Sequence, residues 1–259
     1  MPRIFNSIRQ RLLKENRFTR YLVYAVGEIV LVVIGILIAL QINDFSAQRK
    51  LERTNVRLME RLQDELRINI DRMHYLDTMY AHKGVKLGWT PMLGRVDTAV
   101  AFITKGIDEE RLAWMLEVGQ FHDASMYNLS NAVYREMLSS GRFYSLGPDS
   151  LMERIQKYYQ LLDREERYAI SWNDEATQAW KECKYGFTDL TEDYQLRGLA
   201  ALKDHPWYQD RRSREFIDLK SALLISRRCI DRNRRHAYTI IQHSDTLIRT
   251  LQYEIQAHP

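Results

Sequence analysis

The sequence predicts an all-α protein in which one N-terminal transmembrane helix continues into a long antiparallel helical bundle. An apolar run extends from Tyr21 to Asn43, and the long stretches after it lack interior glycine and proline and repeat apolar residues at helical spacing. No strand-like alternation recurs, and the sequence contains no Asn-Gly hairpin signal. The 259 residues therefore divide into a basic juxtamembrane segment (1–20), a transmembrane helix (21–43) and a helical, extracytoplasmic domain (44–259).

The apolar run is long enough for a membrane helix. It contains 23 residues, one charge (Glu28) and no proline. At about 1.5 Å per residue, a helix of this length crosses a hydrocarbon core of roughly 30 Å. A strand rarely exceeds about 10 residues, and a helix in a soluble core would carry a polar face. A signal peptide would be shorter and would end at a small-x-small site, so we interpret the run as an uncleaved signal anchor.

Basic residues lie on both sides of the predicted span. The 15 residues before it carry five and the 15 after it carry four. Because basic residues favour the cytoplasmic side, this difference of one predicts a cytoplasmic N-terminus. The residues expected at the membrane surface are Arg9, Arg11, Lys14, Arg17 and Arg20. Two interpretations of the segment that carries them remain open, a short interfacial helix and a disordered tail.

The charge distribution argues against a nucleic-acid-binding domain. The formal net charge is +4, but residues 43–259 contain equal numbers of acidic and basic groups. The basicity therefore belongs to the segment beside the membrane, where Lys and Arg interact with anionic lipid. A domain without net positive charge lacks the electrostatic footprint of phosphate-backbone binding.

The chain is expected to leave the membrane as a continuing amphipathic helix. Residues 46–80 contain no glycine or proline, and charged residues surround an apolar stripe with spacings of three, four and seven. The stripe comprises Leu51, Leu58, Leu62, Leu66, Ile70, Met73, Leu76 and Tyr80. Gly84, Gly88, Pro91 and Gly94 then end this pattern. The next segment, 95–105, is a short helix or a strand-like piece.

Four further helices are predicted from start and stop signals. Asp108 is the expected N-cap of the first, Asp123 or Ser125 opens the second, and Gly141 closes the second at a C′ position. The predicted bounds are 108–118, 123–141, 148–187 and 206–256. The expected bundle consists of the membrane-proximal helix, the helix near 125–140 and the two long C-terminal helices.

The two cysteines are predicted to be buried thiols. If the long C-terminal helices form a hairpin centred near residue 196, Cys183 faces about residue 210 and Cys229 faces about residue 164. The sulfur atoms then lie roughly 28 Å apart along the helix axis. A disulfide requires a Cα–Cα distance below about 7 Å, so an intrachain bridge is not expected.

Glu28 is the most informative residue of the predicted span. An acid about 10 Å inside the membrane costs free energy unless it is protonated, hydrogen-bonded or paired. The spacing of Gly35 and Ala39 permits close helix approach, so Gly27, Glu28, Gly35 and Ala39 are predicted to form an oligomer seam. Two alternatives remain open, in which Glu28 snorkels toward the cytoplasmic headgroups or belongs to a proton or ion path.

Motifs for catalysis or metal binding are not found in the sequence. His236 and His243 lie two helical turns apart, too far to share one ion directly. No GxSxG motif and no glycine-rich phosphate loop occurs. We therefore expect no catalytic residue, no cofactor, no cofactor-binding residue and no metal ligand.

The adjacent acids and the aromatic residues of the predicted helices are interpreted as features of the fold and not of a functional site. The adjacent acids Glu109-Glu110 and Glu165-Glu166 point to different helix faces and are interpreted as solvated charge. The aromatic residues of the third predicted helix are interpreted as core packing, with a ligand pocket or partner surface as the alternative. These residues are Tyr158, Tyr159, Tyr168, Trp172 and Trp180.

The segment YLVYAVGEIVLVVIGILIALQINDFSAQRK (21–50) resembles a large family of uncharacterised Bacteroidota membrane proteins. The family signature is approximately YxxYAxGEIxLVVxGILIALQINxWN followed by a charged helix, and here Phe45 and Ser46 replace the usual Trp and Asn. The matching residues are Tyr24, Ala25, Gly27, Glu28, Ile29, Gly35, Ile36, Leu37, Ala39, Leu40, Gln41, Ile42 and Asn43. The resemblance implies a bacterial inner-membrane location and no known activity.

Three classes of function remain after these arguments. The first is a non-enzymatic, single-pass membrane protein that acts as a self-associating scaffold or as a partner-binding module. The alternatives are a ligand sensor that works with a partner, and a subunit of a small channel or transporter that uses Glu28. The expected partners are the lipid bilayer, further copies of the chain and an unidentified protein, but not nucleic acid.

Overall fold

The computed structural model describes residues 17–79, 81–82 and 85–257, and this part of the chain is almost wholly helical. Its α-helices are α1 (Arg17–His74), α2 (Trp89–Lys105), α3 (Glu109–Val118), α4 (Ala132–Ser139), α5 (Asp149–Glu182), α6 (Phe187–Arg197) and α7 (Arg214–Ala257). The predicted all-α class is confirmed.

Short segments of other geometry connect these helices. A π-helical turn follows α1, and two two-residue strands then pair in antiparallel register, with His82 opposite Val85. The bounds are Tyr75–Met79 for the π-helical turn, Ala81–His82 for β1 and Val85–Lys86 for β2. The 3₁₀ turns are Arg142–Ser145, Cys183–Tyr185, Gly198–Asp204 and Pro206–Gln209.

The chain divides into two compact units, unit 1 (Met1–Val56) and unit 2 (Arg57–Pro259). In the described part of unit 1 the chain is helical, and its apolar side chains from Ile29 to Leu40 are exposed. The most apolar 18-residue window has a mean hydropathy of 2.6, and none of it is buried. This helix is long and apolar enough to cross a membrane.

Unit 2 has its own apolar core. Part of the stripe predicted for residues 46–80 supplies the α1 side of this core, since Leu62, Leu66 and Met73 are fully buried. Leu51, also predicted in the stripe, is 40 % exposed, and Tyr80 lies outside the described residues. Helices α5 and α2 both pack along α7. The predicted packing of the two long C-terminal helices is therefore confirmed, and α2 is an additional partner of α7 that was not expected in the bundle. Helix α4, which lies within 125–140, contacts α1 through Glu136 and Arg61.

The helix predicted from Asp123 or Ser125 is wrong, because the chain has no regular structure from Gly119 to Asn131 and α4 begins only at Ala132. The Asp123 carboxylate accepts hydrogen bonds from the Ser125 backbone N–H at 3.1 Å and from its hydroxyl at 2.6 Å. Such local bonds to the backbone compete with helix formation. The predicted ends are confirmed at Asp108, which caps α3, and at Gly141, which is left-handed.

Helix α2 begins earlier than the glycines and proline suggested. Pro91 lies in the first turn, where a missing N–H costs nothing, and Gly94 is tolerated within a helix that buries Trp89 and Met92. Gly88, directly before the helix, occupies a position without room for a side chain, because its backbone lies close to another segment of the chain. A Cβ atom added there would lie 2.4 Å from the carbonyl oxygen of Asp77.

The hairpin of α5 and α7 has a different centre from the predicted one. The hydroxyls of Tyr158 and Ser244 lie 2.8 Å apart, and the Trp180 indole donates to Ser226 at 2.7 Å, so the midpoints are residues 201 and 203. The shift from residue 196 arises because α6 and three 3₁₀ turns separate α5 from α7, and α7 starts at Arg214 instead of 206.

The new register changes what each cysteine contacts. Cys229 lies against Asn173, with 3.2 Å between its sulfur and the amide oxygen, so the expected position opposite residue 164 is wrong. The Cys183 thiol donates to the carbonyl of Ala179 on its own turn at 3.6 Å. Both thiols are free and buried, as predicted.

Candidate functional site

The predicted seam lies on an exposed surface of α1. Glu28, Gly35 and Ala39 are separated by seven and four residues, which places all three within about 40° of helix circumference. Gly27, the fourth residue of the predicted seam, lies about 100° away from Glu28 around the helix, so helix geometry does not align it with the other three. A Cβ atom added at Gly27 or Gly35 would meet nothing within 4 Å. Unit 1 therefore presents a narrow strip of small residues with one acid.

The predicted membrane-surface arginines and lysine are only partly within the described chain. Arg9, Arg11 and Lys14 lie outside the described residues. Arg17 and Arg20 lie in the first turns of α1, and their side chains are outside the described part.

Glu65 forms the centre of a buried polar cluster in unit 2. Its carboxylate accepts hydrogen bonds from the Ser130 hydroxyl at 3.1 Å, from the Val133 backbone N–H at 2.7 Å and from the Tyr159 hydroxyl. Val133 lies in the first turn of α4, so an acid from α1 caps the α4 N-terminus, where backbone N–H groups favour negative charge. Burial raises the pKa of Tyr159, and the bond to Glu65 raises it further.

Asn69 extends this cluster along α1. Its side-chain amide accepts from the Ser130 backbone N–H at 2.7 Å and donates to the Ser130 carbonyl at 2.9 Å. The Asn69 side chain therefore provides hydrogen-bond partners for both the backbone N–H and the backbone carbonyl of Ser130. Glu65 and Asn69 together fix the irregular loop before α4 against α1.

A second buried acid, Glu165, contradicts the interpretation of Glu165-Glu166 as solvated charge. Its side chain is 2 % exposed. The Arg164 guanidinium donates to it at 2.5 and 3.0 Å, and the His236 ring contacts its other oxygen. The prediction failed because Glu165 lies on the core-facing side of α5, three residues from Leu162. The pair Glu109-Glu110 is exposed, as expected.

Two asparagines connect α5 with α7. The Asn233 amide donates to the Asn173 side-chain oxygen at 2.9 Å, and Asn173 donates to the Ser125 carbonyl at 3.0 Å. The Tyr127 hydroxyl reaches Asn233 at 3.3 Å. Burial raises the pKa of the neighbouring Cys229 thiol to about 12. A thiol that stays protonated is a poor nucleophile, so this cluster is suited to holding helices together.

The aromatic residues of α5 occupy two kinds of environment. Tyr158 and Tyr159 are buried, in agreement with the core interpretation, whereas Tyr168 is 47 % exposed and stacks on Trp172 with 5.6 Å between ring centroids. Trp180 stacks on Phe121 at 6.0 Å and on His122 at 5.6 Å.

The Trp180 stack lines an open groove of about 770 Å³ together with Phe187. Burial lowers the pKa of His122 below its ordinary value. The neutral imidazole therefore packs on the indole as an aromatic ring in this groove.

The two histidines of α7 considered as metal ligands lie in different surroundings. His236 contacts Glu165, and His243 is exposed on α7. Among the residues that the structure describes, no group of three or more His, Cys, Asp or Glu side chains is arranged as metal ligands.

Sequence reasoning missed the buried acids and amides, although the sequence carries a signal for them. Glu65 and Asn69 occupy positions three residues after Leu62 and Leu66, within the apolar stripe of α1. Asn233 stands likewise three residues after Ile230 in α7. A polar residue at a stripe position is buried if the helix is, and it must then find partners.

A comparison with protein-family models identified a match over more than half of the chain. Residues 28–181 match the model described as "Family of unknown function (DUF6090)", so the matched region begins at Glu28 and ends in the last turn of α5. No curated protein and no solved structure matches the chain.

Proposed function

The chain belongs to the family of unknown function DUF6090, and we propose that it is a non-enzymatic, single-pass protein of the bacterial inner membrane. It acts as a scaffold that associates with further copies of itself or holds a partner protein through its helical unit 2. The N-terminus lies in the cytoplasm and unit 2 lies outside it.

The exposed apolar surface of unit 1 is the observation that carries this proposal. A window of 18 residues with a mean hydropathy of 2.6 has no buried residue, and Leu31 alone is 73 % exposed. Exposed apolar patches on soluble monomers rarely exceed a few hundred Å². A helix that is apolar on all sides requires lipid or other protein around it.

Self-association is supported by the strip of Glu28, Gly35 and Ala39. Lipid tails are as apolar as the helix, so helices associate in membranes where small residues allow close packing and polar groups hydrogen-bond. Gly35 has open space around it, and a protonated Glu28 carboxyl can donate to its counterpart on a second copy. Such a hydrogen bond would lower the free-energy cost of placing the Glu28 carboxyl in hydrocarbon.

The location and orientation rest on charge and on the resemblance of residues 21–50. The five basic residues before the span favour a cytoplasmic N-terminus. The non-enzymatic assignment is supported by the buried polar groups of unit 2. Glu65 bonds to Val133, Glu165 contacts His236 and Asn173 bonds to Ser125, so these groups hold other parts of the same unit together.

A matched pair of glycine substitutions tests the seam. Both Gly35→Leu and Gly27→Leu add the same side chain to unobstructed helix surface, but only Gly35 lies in line with Glu28. We expect Gly35→Leu to convert the full-length oligomer in neutral detergent to monomer, while Gly27→Leu leaves most of it intact. Light scattering coupled to size-exclusion chromatography measures the mass. A monomeric wild-type protein, or equal disruption by both substitutions, contradicts the seam.

Substitution of the acid separates the scaffold from the channel alternative. Glu28→Gln retains a hydrogen-bonding group without a charge, so a scaffold should keep its detergent-stable oligomer or gain stability. A channel or transporter subunit that uses Glu28 should instead lose conductance in reconstituted bilayers while the oligomer persists. That second result would replace the scaffold with a transport function.

A further inference from the structure

A groove between α5 and α7 in unit 2 is lined by cations on one wall. Its volume is about 570 Å³, within the range of about 300–1,000 Å³ typical of ligand sites. The α5 wall carries Arg154, Lys157, Arg164 and Arg167, and the α7 wall includes His243. No Asp or Glu side chain is among the lining residues. We propose that this groove binds an organic anion with a phosphate or carboxylate group and an apolar part.

The cations are aligned by helix geometry. Arg154, Lys157 and Arg164 follow one another at intervals of three and seven residues, which keeps them on one side of α5 over about 15 Å. This length exceeds the size of a single phosphate. The row therefore fits an extended anion, or one charged group with an uncharged remainder.

The charge of this row is only partly neutralised within the chain. Lys157 pairs with Glu153 at 2.6 Å, and Arg167 pairs with Asp163, both pairs being exposed. Exposed ion pairs are weak and are exchanged readily for another anion. Arg154 makes no ion pair with any of the residues that the structure describes. Arg154 is therefore the cation most available to a ligand, and Lys157 beside it can exchange its exposed pair with Glu153 for a ligand anion.

Arg164 has a different part in the groove. Its guanidinium bonds to the buried Glu165 at 2.5 Å, while its side chain remains 55 % exposed. A guanidinium presents five N–H donors in a planar fork, so donors remain for a ligand after this contact. The bond to Glu165 fixes the orientation of that fork.

The base of the groove is apolar. Tyr158 and Leu247 are almost completely buried below it, and Leu161 contributes part of the wall. The hydroxyls of Thr246 and Thr250 donate to carbonyls of their own helix, so these lining residues offer no free hydroxyl donor to the groove. A ligand with an apolar part would bury it against these side chains while its charged group meets Arg154 and Lys157.

Phenyl phosphate is a water-soluble probe with both features. Full-length protein in phosphatidylcholine nanodiscs, at a salt concentration near 0.15 M where charges are screened beyond about 8 Å, is titrated with phenyl phosphate. Saturation-transfer NMR of the ring protons reports binding. Empty nanodiscs correct for partition into lipid, phenol tests the need for phosphate, and inorganic phosphate serves as competitor. We expect saturable binding that phenol does not reproduce and inorganic phosphate displaces.

Charge reversal locates the binding. Arg154→Glu with Lys157→Glu should weaken phenyl phosphate binding at least about tenfold, because two attractive charges become repulsive. Lys203→Glu with Lys220→Glu makes the same change in net charge at exposed positions, and Lys220 lies about 35 Å along α7 from His243. This control should bind as the wild type does.

A single substitution serves if the charge-reversal double variant does not fold. Arg154→Gln breaks no ion pair among the described residues and should weaken phenyl phosphate binding about threefold. It replaces the double variant if circular dichroism shows that the double variant is unfolded.

The lipid composition distinguishes the sources of the anion. If the groove holds a lipid headgroup, phosphatidylglycerol in the nanodisc should weaken phenyl phosphate binding to the wild type several-fold. Equal affinity in both lipids indicates a soluble organic anion, and either result supports the site. Absence of saturable binding, or equal loss in both charge-reversal doubles, overturns it. This outcome is independent of the seam, which involves only unit 1.

Discussion

Leucine side chains have opposite environments in two stretches of the same helix. In unit 1, Leu31 of α1 is 73 % exposed and its apolar neighbours are exposed on every side of the helix. In unit 2, Leu66 of α1 is fully buried, and charged residues such as Asp64 and Arg67 are exposed around the stripe. The difference teaches that helix propensity alone does not distinguish a membrane span from a bundle helix. The arrangement of apolar residues around the helix does.

The largest expected effect comes from truncating a leucine in the unit 2 stretch. Leu66→Ala removes a fully buried side chain and should lower the free energy of unfolding of unit 2 by about 2–5 kcal/mol, through lost burial and the cavity left behind. Leu31→Ala removes the same atoms from an exposed position and should leave that unfolding unchanged. Chemical denaturation of full-length protein in neutral detergent, followed by near-ultraviolet circular dichroism, measures both. Equal destabilisation by the two substitutions would contradict the comparison.

Two acids of α1, Glu65 in unit 2 and Glu28 in unit 1, allow the same comparison with a smaller expected effect. Glu65→Ala leaves one buried donor and two half-buried donors without their acceptor, namely the Tyr159 hydroxyl, the Ser130 hydroxyl and the Val133 N–H. We expect a loss of about 2–4 kcal/mol in the unfolding free energy of unit 2. Glu28→Ala, made in unit 1, should not change that transition. Hydrogen exchange adds a local readout, since the first turn of α4 should lose protection in Glu65→Ala.

The sequence predicted the helices that have long, uninterrupted patterns. The apolar run, the stripe after it and the two long C-terminal helices carry strong periodic signals, and Asp108 and Gly141 marked helix ends correctly. The predictions of helix bounds failed where local side-chain hydrogen bonds or the position of a proline decided the structure instead of helix propensity. Asp123 bonds to the nearby backbone instead of opening a helix. Pro91 is harmless only because it lies in the first turn of α2.

The candidate sites were predictable to different degrees. Glu28 stands out in sequence because it is the only charge in an apolar run. The row of Arg154, Lys157 and Arg164 does not stand out, because cations on a solvated helix face have the same spacing. Only the position of α7 beside α5 makes that row one wall of a groove. Glu165 was misjudged because adjacent acids were treated alike, although they lie about 100° apart around α5 and only Glu165 is buried.

A pH effect is the smallest expected difference, and it is confined to unit 2. Burial lowers the pKa of His122 below its ordinary value of 6.5, against a weaker opposing effect of Asp123. The folded state therefore binds fewer protons than the unfolded state, so this residue's stabilisation is lost as the pH falls below about 6.5. His122→Phe preserves stacking on Trp180 without a titratable group. Its melting temperature should fall less than that of the wild type between about pH 7.5 and about pH 5.5.

The fate of the full-length chain without detergent tests the central claim most directly. After expression in bacteria, membranes are washed with alkaline carbonate, and the pellet is then treated with neutral detergent. If unit 1 is embedded in lipid, the chain stays in the washed pellet and is released only by detergent. A variant with lysine in place of Val32, Ile36 and Leu40 should then lose membrane association. Recovery of the unaltered chain as a monodisperse soluble protein, without any detergent, would contradict the account.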